Sequence, residues 1–252
     1  MTVTLSRICR YPVKGLSPDD METVSLQAGE TLPFDRRFAF ALGSTRFENG
    51  TPHWLPKTSF YALVQYEKLA TLVTGFDDET TTLTIYRDGR QVSRGKLDDP
   101  IGRAILEDFF SAFMKDEGHG QPRLVEMPAG DAFTDQKKQL VSIVNLASVR
   151  DLERVTKTEI NPSRFRANIY IDGLEPWAEF DAVGKNITIG GLDFNLVKRT
   201  ERCAAVNVDP DSGKRDINLL RFLKGGFGHV DMGVFARVET SGEIAIDDKI
   251  VF

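Results

Sequence analysis

"LATLVTGFDDETTTLTIYRDGRQVSRGKL", residues 69–97, consists of three short runs rich in Val, Thr and Ile, separated by Asp- and Gly-containing turns. Apolar and polar residues alternate with period 2, the mark of half-buried strands, and Asp88-Gly89 is the dipeptide of a tight hairpin. The stretch therefore predicts strand, turn, strand, turn, strand. The same period recurs on both sides. "VTLSRICRY" (3–11) alternates until Pro12 and Gly15 end it, and "RRFAFALG" (36–43) is a second strand. Downstream come a strand over 140–144, "RFRANIYIDG" (164–173), a pair in "NITIGGLDFNLVKR" (186–199), and a final hairpin in "GVFARVETSGEIAIDDKIVF" (233–252). Helical signals are fewer. Asp99 is placed to cap "IGRAILEDFFSAFMK", whose apolar Ile101, Ile105, Phe109 and Phe113 recur at helical spacing. "LASVRDLERVTK" (146–157) and "INLLRFLK" (217–224) predict two more, with "KGGFG" (224–228) as a helix stop. The strands lie too close together for regular βαβ units. The fold class expected is mixed α+β, mainly β, built as a barrel or sandwich-like architecture.

The Gly/Pro-containing break after Glu117-Gly118 predicts a seam, dividing the chain into residues 1–120 and 121–252, which meet at a cleft. At 252 residues, with 41% hydrophobic and 27% charged residues, the chain can bury a substantial core. A net charge of −5 argues against a nucleic-acid surface. No run approaches a membrane span, and the N-terminus lacks the unbroken apolar segment of a signal peptide. Cys9 and Cys203 are the two cysteines and stand in unrelated contexts, which reads as a cytoplasmic protein with reduced thiols. His53, His119 and His229 are scattered and no Cys-x-x-Cys occurs, so neither a zinc site nor an iron–sulfur cluster is expected.

Basic residues recur at strand ends: Lys14, Arg36 and Arg37, Arg164 and Arg166, then Lys198, Arg199 and Arg202. Convergence of half of these would make a local anion site on an acidic protein. Singly, each is accounted for as a solvated strand residue. Arg166 is the exception, opening a strongly apolar strand with Asn168 on its own face. No phosphate-binding glycine loop of standard form is present. Cys203 follows Arg202 directly and precedes a turn, "VDPDSGKRD" (208–216). From the residues alone three roles stay open: packing, a nucleophile, or a soft-metal ligand whose thiolate the neighbouring cations favour. Asp209 reads as structural, in a turn preset by Pro210 and Gly213.

Taken together, "RC" (202–203), "VDPDSGKRD", "LLRFL" (219–223) and "GVFARV…GEIAIDD" resemble the signature of the MOSC superfamily. "YPVKGLSP" (11–18) followed by "RRFAFAL" (36–42) looks like the β-barrel domain that precedes MOSC in many members, and residues 164–191 match the intermediate block. The chain is thus similar to the amidoxime reducing components. This resemblance implies an N-terminal β-barrel-like domain over 1–120 and a C-terminal MOSC barrel domain over 121–252. It implies that Cys203 ligates molybdenum in a molybdenum cofactor, and that Lys14, Arg37, Arg166, Asn168 and Arg202 contact the pterin and its phosphate. The implied activity is reduction of N-hydroxylated or oxygenated small molecules, with electrons from a separate redox protein. The alternatives are a non-catalytic cofactor carrier and a sulfur-transfer protein bearing a persulfide on Cys203. Pyridoxal phosphate is associated with the superfamily through the sulfurases, whose separate pyridoxal-phosphate domain is not expected within these 252 residues. Lys138, Gln139, Glu201 and Asp247 depart from the pattern of the amidoxime-reducing relatives.

Overall fold

The computed structural model describes residues 2–117 and 120–252. Gly118 and His119, part of the expected seam, lie outside the described residues. In chain order the first part contains β1 (Val3–Arg10), β2 (Asp19–Met21), β3 (Thr23–Leu26), β4 (Phe38–Ala41), β5 (Val73–Asp77), β6 (Thr82–Arg87), β7 (Arg90–Lys96), α1 (Pro100–Phe113) and β8 (Arg123–Glu126). The second contains β9 (Val141–Asn145), α2 (Leu146–Thr156), β10 (Ile169–Asp172), β11 (Asn186–Ile189), β12 (Leu192–Glu201), α3 (Leu219–Phe227), β13 (Asp231–Val238), β14 (Gly242–Ala245) and β15 (Lys249–Val251).

Seven of these strands close on themselves. The order β10-β9-β13-β12-β11-β15-β1 returns to β10 through a β1–β10 pairing, and β2 hangs on the outer edge of β1. Every neighbouring pair in the ring is antiparallel except β9–β10. The molecule is mainly β, with a closed barrel and three α-helices among the described residues. The alternation of side chains explains the apolar runs. Ile143, Ile169 and Ile171 belong to the barrel core with Leu5, Phe194 and Val234. Their neighbours Val144 and Tyr170 face the opposite way, packing with Val149 and Leu152 of α2 and Leu219 and Leu223 of α3. Both faces of these staves are buried, so their centres, Ile143-Val144 and Ile169-Tyr170-Ile171, are unbroken apolar runs.

The segment 69–97 folds as expected into the meander β5-β6-β7, with Asp88 and Gly89 both at positive φ in its hairpin turn. α1 packs on that meander and starts at Asp99, whose carboxylate accepts from the Gly102 amide at 2.8 Å. The expected apolar stripe of α1 is rotated. Ile101 and Ile105 are 72% and 47% exposed, and the buried face is Gly102, Leu106 and Phe110. The cause is steric: Gly102 lies against the backbone of Lys96, where a Cβ would sit 2.4 Å from its nitrogen, which sets the angle at which the helix meets the meander. Phe110 then stacks on Phe40 at 3.8 Å between ring centroids.

Two local expectations are corrected. The final segment is not a hairpin: β14 pairs with β3, and β15 pairs with β1 and β11. Its apolar Ile244 is buried in the barrel core with Val24 of β3, so burial overrides the local turn signal. α3 runs past its expected end at Lys224 to Phe227, and it is the last glycine of the expected stop, Gly228 at φ +80°, that ends it.

Candidate functional site

A cleft of about 160 Å³ opens where the first part meets one end of the barrel, and both halves of the chain line it. Lys14 is delivered by the loop after β1, whose neighbour Val13 bridges to Phe38. Gly15 follows at φ +86°, where a Cβ would stand 2.7 Å from the Tyr61 carbonyl; only glycine permits that approach. Arg36 comes from the turn before β4, Lys57 from a short 3₁₀ turn, and Thr134–Gln136 from the loop before β9. Arg166 and Asn168 enter from the turn into β10, and Thr200–Cys203 from the end of β12.

Cys203 is part-exposed in this cleft. Two backbone devices place it. Just before it, opposite Thr200, β13 carries an extra residue relative to β12 between the pairs Arg199–Val234 and Glu201–Asp231. Gly233 at φ +73° occupies that bulge, where a Cβ would meet the Ile143 carbonyl at 2.2 Å. The distortion turns the Met232 carbonyl toward Arg202, which donates to it from Nε at 2.9 Å and to the Phe165 carbonyl from Nη1 at 2.7 Å. Beyond the thiol, Arg215 donates to the carbonyls of Ala204 at 2.8 Å and Val64 at 3.0 Å, tying the cysteine turn to the first part. Asp209 accepts from Ser212 within the same turn, the structural role expected of it.

Positive charge dominates the cleft. Arg36 is paired with the buried Asp35 and stacks over the Tyr11 ring at 4.5 Å, while Arg166 stacks on the same ring at 4.2 Å. Arg166 donates to the Leu16 carbonyl at 2.7 Å. Neither Arg166 nor Arg202 forms an ion pair with a carboxylate among the described residues. Burial pulls both guanidinium groups down, Arg202 to about 10. Such a pair of under-compensated cations is stabilised by an anion. Lys14 donates to the Phe133 carbonyl at 2.8 Å and to Asp135 at 2.9 Å. Burial lowers Lys14 against the pull of Asp135. Burial works to raise Asp135, but Lys14 and Lys57 overcome it and hold the carboxyl below the usual range.

The structure therefore brings Lys14, Arg166, Asn168, Arg202 and Cys203 into one cleft. Asn168 serves partly as a strut, accepting from Ser142 Oγ at 2.9 Å. Arg37 departs from the expected convergence. Its guanidinium binds Glu126 at 2.7 Å in a separate depression shared with Arg103, and its neighbour Arg36 points into the cleft instead. The expected strand over 36–43 begins only at Phe38; Arg36 sits in a turn at φ +50°, so strand alternation does not say which arginine turns inward. Lys57 was not singled out from sequence. It lies between Asp135, at 3.2 Å, and Cys203, both of which raise its pKa against the lowering effect of burial. Nothing local marks it: a lone lysine after Pro56 has no pattern.

The MOSC domain model matches residues 118–251. A stretch of 97 residues, 36% of this chain, is 37% identical to the molybdenum cofactor sulfurase of Caenorhabditis elegans and covers 13% of that protein. The molybdenum cofactor sulfurase of Caenorhabditis briggsae is 35% identical over the same length and share. The match thus spans a small fraction of either relative. Among solved structures, the YUAD protein from Bacillus subtilis aligns over 99% of this chain and 94% of its own, with a TM-score of 0.48 and 13% identity. YiiM from Geobacillus stearothermophilus aligns over 44% of this chain and 52% of its own, with a TM-score of 0.33 and 16% identity.

Proposed function

This chain belongs to the MOSC domain family, and from that premise we propose that it binds the molybdenum cofactor and reduces N-hydroxylated or oxygenated small molecules. One observation carries the reading: a part-exposed thiol shares a cleft with two buried guanidinium groups that have no carboxylate partner among the described residues. That donor set suits a group combining a thiophilic metal with a phosphate. Relatives matched over 97 residues carry molybdenum cofactor sulfurase as their name, which agrees in the choice of cofactor. The same reading takes residues 1–120 as the N-terminal domain and 121–252 as the MOSC domain.

In this proposal Cys203 is the protein ligand to molybdenum, and Arg36, Arg166 and Arg202 hold the phosphate, with Lys14 beside them. When bound, the cofactor supplies two-electron reduction with removal of an oxygen atom. The chain's own residues hold its charge, orient its phosphate and narrow the approach to the metal. The Lys57 ammonium, between Asp135 and Cys203, keeps positive charge at the thiolate. Electrons are supplied by a separate redox protein that docks near the cleft.

The test is elemental analysis for molybdenum with pterin fluorescence, on protein from a host that makes the cofactor, followed by turnover of an N-hydroxylated substrate with a chemical donor. Stoichiometric molybdenum with turnover supports the reductase. Molybdenum without turnover favours the carrier, and a persulfide on Cys203 without molybdenum favours sulfur transfer.

A further inference from the structure

His229 does not line the cysteine cleft, yet the fold ties it to Arg202. Its ring sits among three aromatic side chains. It is edge-on to Trp177 and Phe180, with centroids at 5.4 Å from each, and closer to parallel with Phe227 at 6.2 Å. Its Nδ1 accepts from the main-chain N–H of Asp231 at 3.2 Å. That N–H belongs to the Val230–Asp231 peptide, whose carbonyl accepts from the main-chain N–H of Arg202 at 3.0 Å. A peptide unit is planar, so its N–H and C=O turn together. His229 holds one side of the plane and Arg202 is bound to the other. Two residues further on, the Met232 carbonyl accepts from Arg202 Nε at 2.9 Å. Arg202 is thus fixed at main chain and side chain by a segment that His229 orients.

Only the neutral imidazole can accept that bond. With both nitrogens protonated the ring has two donors and no acceptor, and one N–H would point at another. The surroundings favour the neutral form. Burial lowers the pKa of His229 from its ordinary value of about 6.5, and Arg199 of β12 and Lys224 of α3 act in the same direction. The Asp231 carboxylate opposes them. Other acids on the packed elements are engaged or solvated. Asp151 of α2 accepts from Trp177 Nε1 at 2.7 Å, Glu179 is buried on Asn145 and Ser148, and Glu201, opposite Asp231 in the strand register, is exposed. We propose that neutral His229 is a positioning residue for Arg202, acting through the Val230–Asp231 peptide, and that its protonation loosens the hold of Arg202 on a bound phosphate. The role of Arg202 toward phosphate rests on the cofactor reading. The link from His229 to Arg202 does not.

Two variants separate the acceptor from the charge. His229→Asn keeps an acceptor, because an Asn side chain bonds the main chain two residues on, and it does not titrate. His229→Phe keeps an aromatic ring and loses the acceptor. The first readout, in cofactor-free protein, is hydrogen exchange at the Arg202 amide between about pH 7.5 and about pH 5, corrected for intrinsic rates, with the His229 midpoint followed by NMR. Wild type is expected to lose about fivefold of its protection through that midpoint. His229→Asn is expected to keep it throughout, and His229→Phe to lack it at every pH. The second readout is molybdenum retained on dialysis at the two pH values, in protein from a cofactor-making host, and it is expected to follow the same order. Protection in His229→Phe equal to wild type, a loss with pH that His229→Asn shares, or wild-type molybdenum retention that does not change with pH would each overturn the proposal. Should His229→Phe not fold, wild type against His229→Asn still decides it. The expected exchange pattern in protein that never takes up molybdenum would sink the cofactor reading and leave the His229–Arg202 link standing.

Discussion

Arg36 Nη2 donates to the main-chain carbonyl of Arg166 at 2.7 Å, and both arginines sit in the left-handed region, at φ +50° and +49°. Non-glycine residues adopt that conformation at a cost, so two in contact, both stacked on Tyr11, mark a site held in shape by its surroundings. The hydrogen bond ties the first part of the chain to the barrel at the point where the anion is proposed to bind.

Arg36→Lys is expected to lower molybdenum content several-fold in protein from a cofactor-making host. Lysine keeps a charge beside Asp35 but loses the planar fork that grips a phosphate. Arg37→Lys is expected to leave the content unchanged, because that guanidinium is engaged by Glu126 outside the cleft. Equal losses in the two variants would show that position, not direction, matters.

The two cysteines differ in accessibility. Cys9 is fully buried, donates to the Ala167 carbonyl at 3.1 Å, and has its thiol pushed up to about 11 by burial. Cys203 is part-exposed. A thiol-reactive dye should therefore label one cysteine per cofactor-free native chain and two after denaturation. Cys203→Ser should abolish native labelling and any molybdenum-dependent reduction, while Cys9→Ser leaves both largely intact.

The face of α1 can be checked by stability alone. Phe110→Ala should cost about 3–5 kcal/mol, since it empties the stack on Phe40. Ile101→Ala should stay within about 0.5 kcal/mol, because the side chain is in solvent. Chemical denaturation of the two variants decides between the observed face and the sequence-derived one.

Asp135 gives a pH signature. Its folded-state pKa is lowered, so the unfolded chain takes up this proton first as pH falls. The stabilisation it contributes is present above the ordinary carboxylate value of about 4 and disappears as pH drops through the lower folded-state value. Wild type should therefore melt above Asp135→Asn at pH 7, with the gap closing below about pH 4. A gap that stays constant down to pH 3 would mean that the carboxylate is not held by Lys14 and Lys57.

Strand content, the meander over 69–97, the Asp99 cap and most of the cleft cations were legible because each rests on local pattern or on a motif of contiguous residues. The failures share a cause. Arg36 and Arg37 are adjacent, and a single left-handed residue reverses which one turns inward. The β3–β14 pairing joins segments with no local signal, and the rotated face of α1 follows from the contact of Gly102 with Lys96. Lys57 gains meaning only from Asp135 and Cys203, which stand beside it in space.

Because Val3 pairs with Ile250 and Leu5 with Ile171, the first stave of the barrel waits for partners made much later. During synthesis β1 emerges with only the short β2 to pair with, along Ile8–Arg10, while β4–β8 and α1 already hold the parts of their own core. Ring closure is then a late, long-range event, slow by virtue of its sequence separation. The edge of β1 that awaits β10 and β15 is exposed in the interim, and a chaperone, or another copy of the chain, would be the first to meet it.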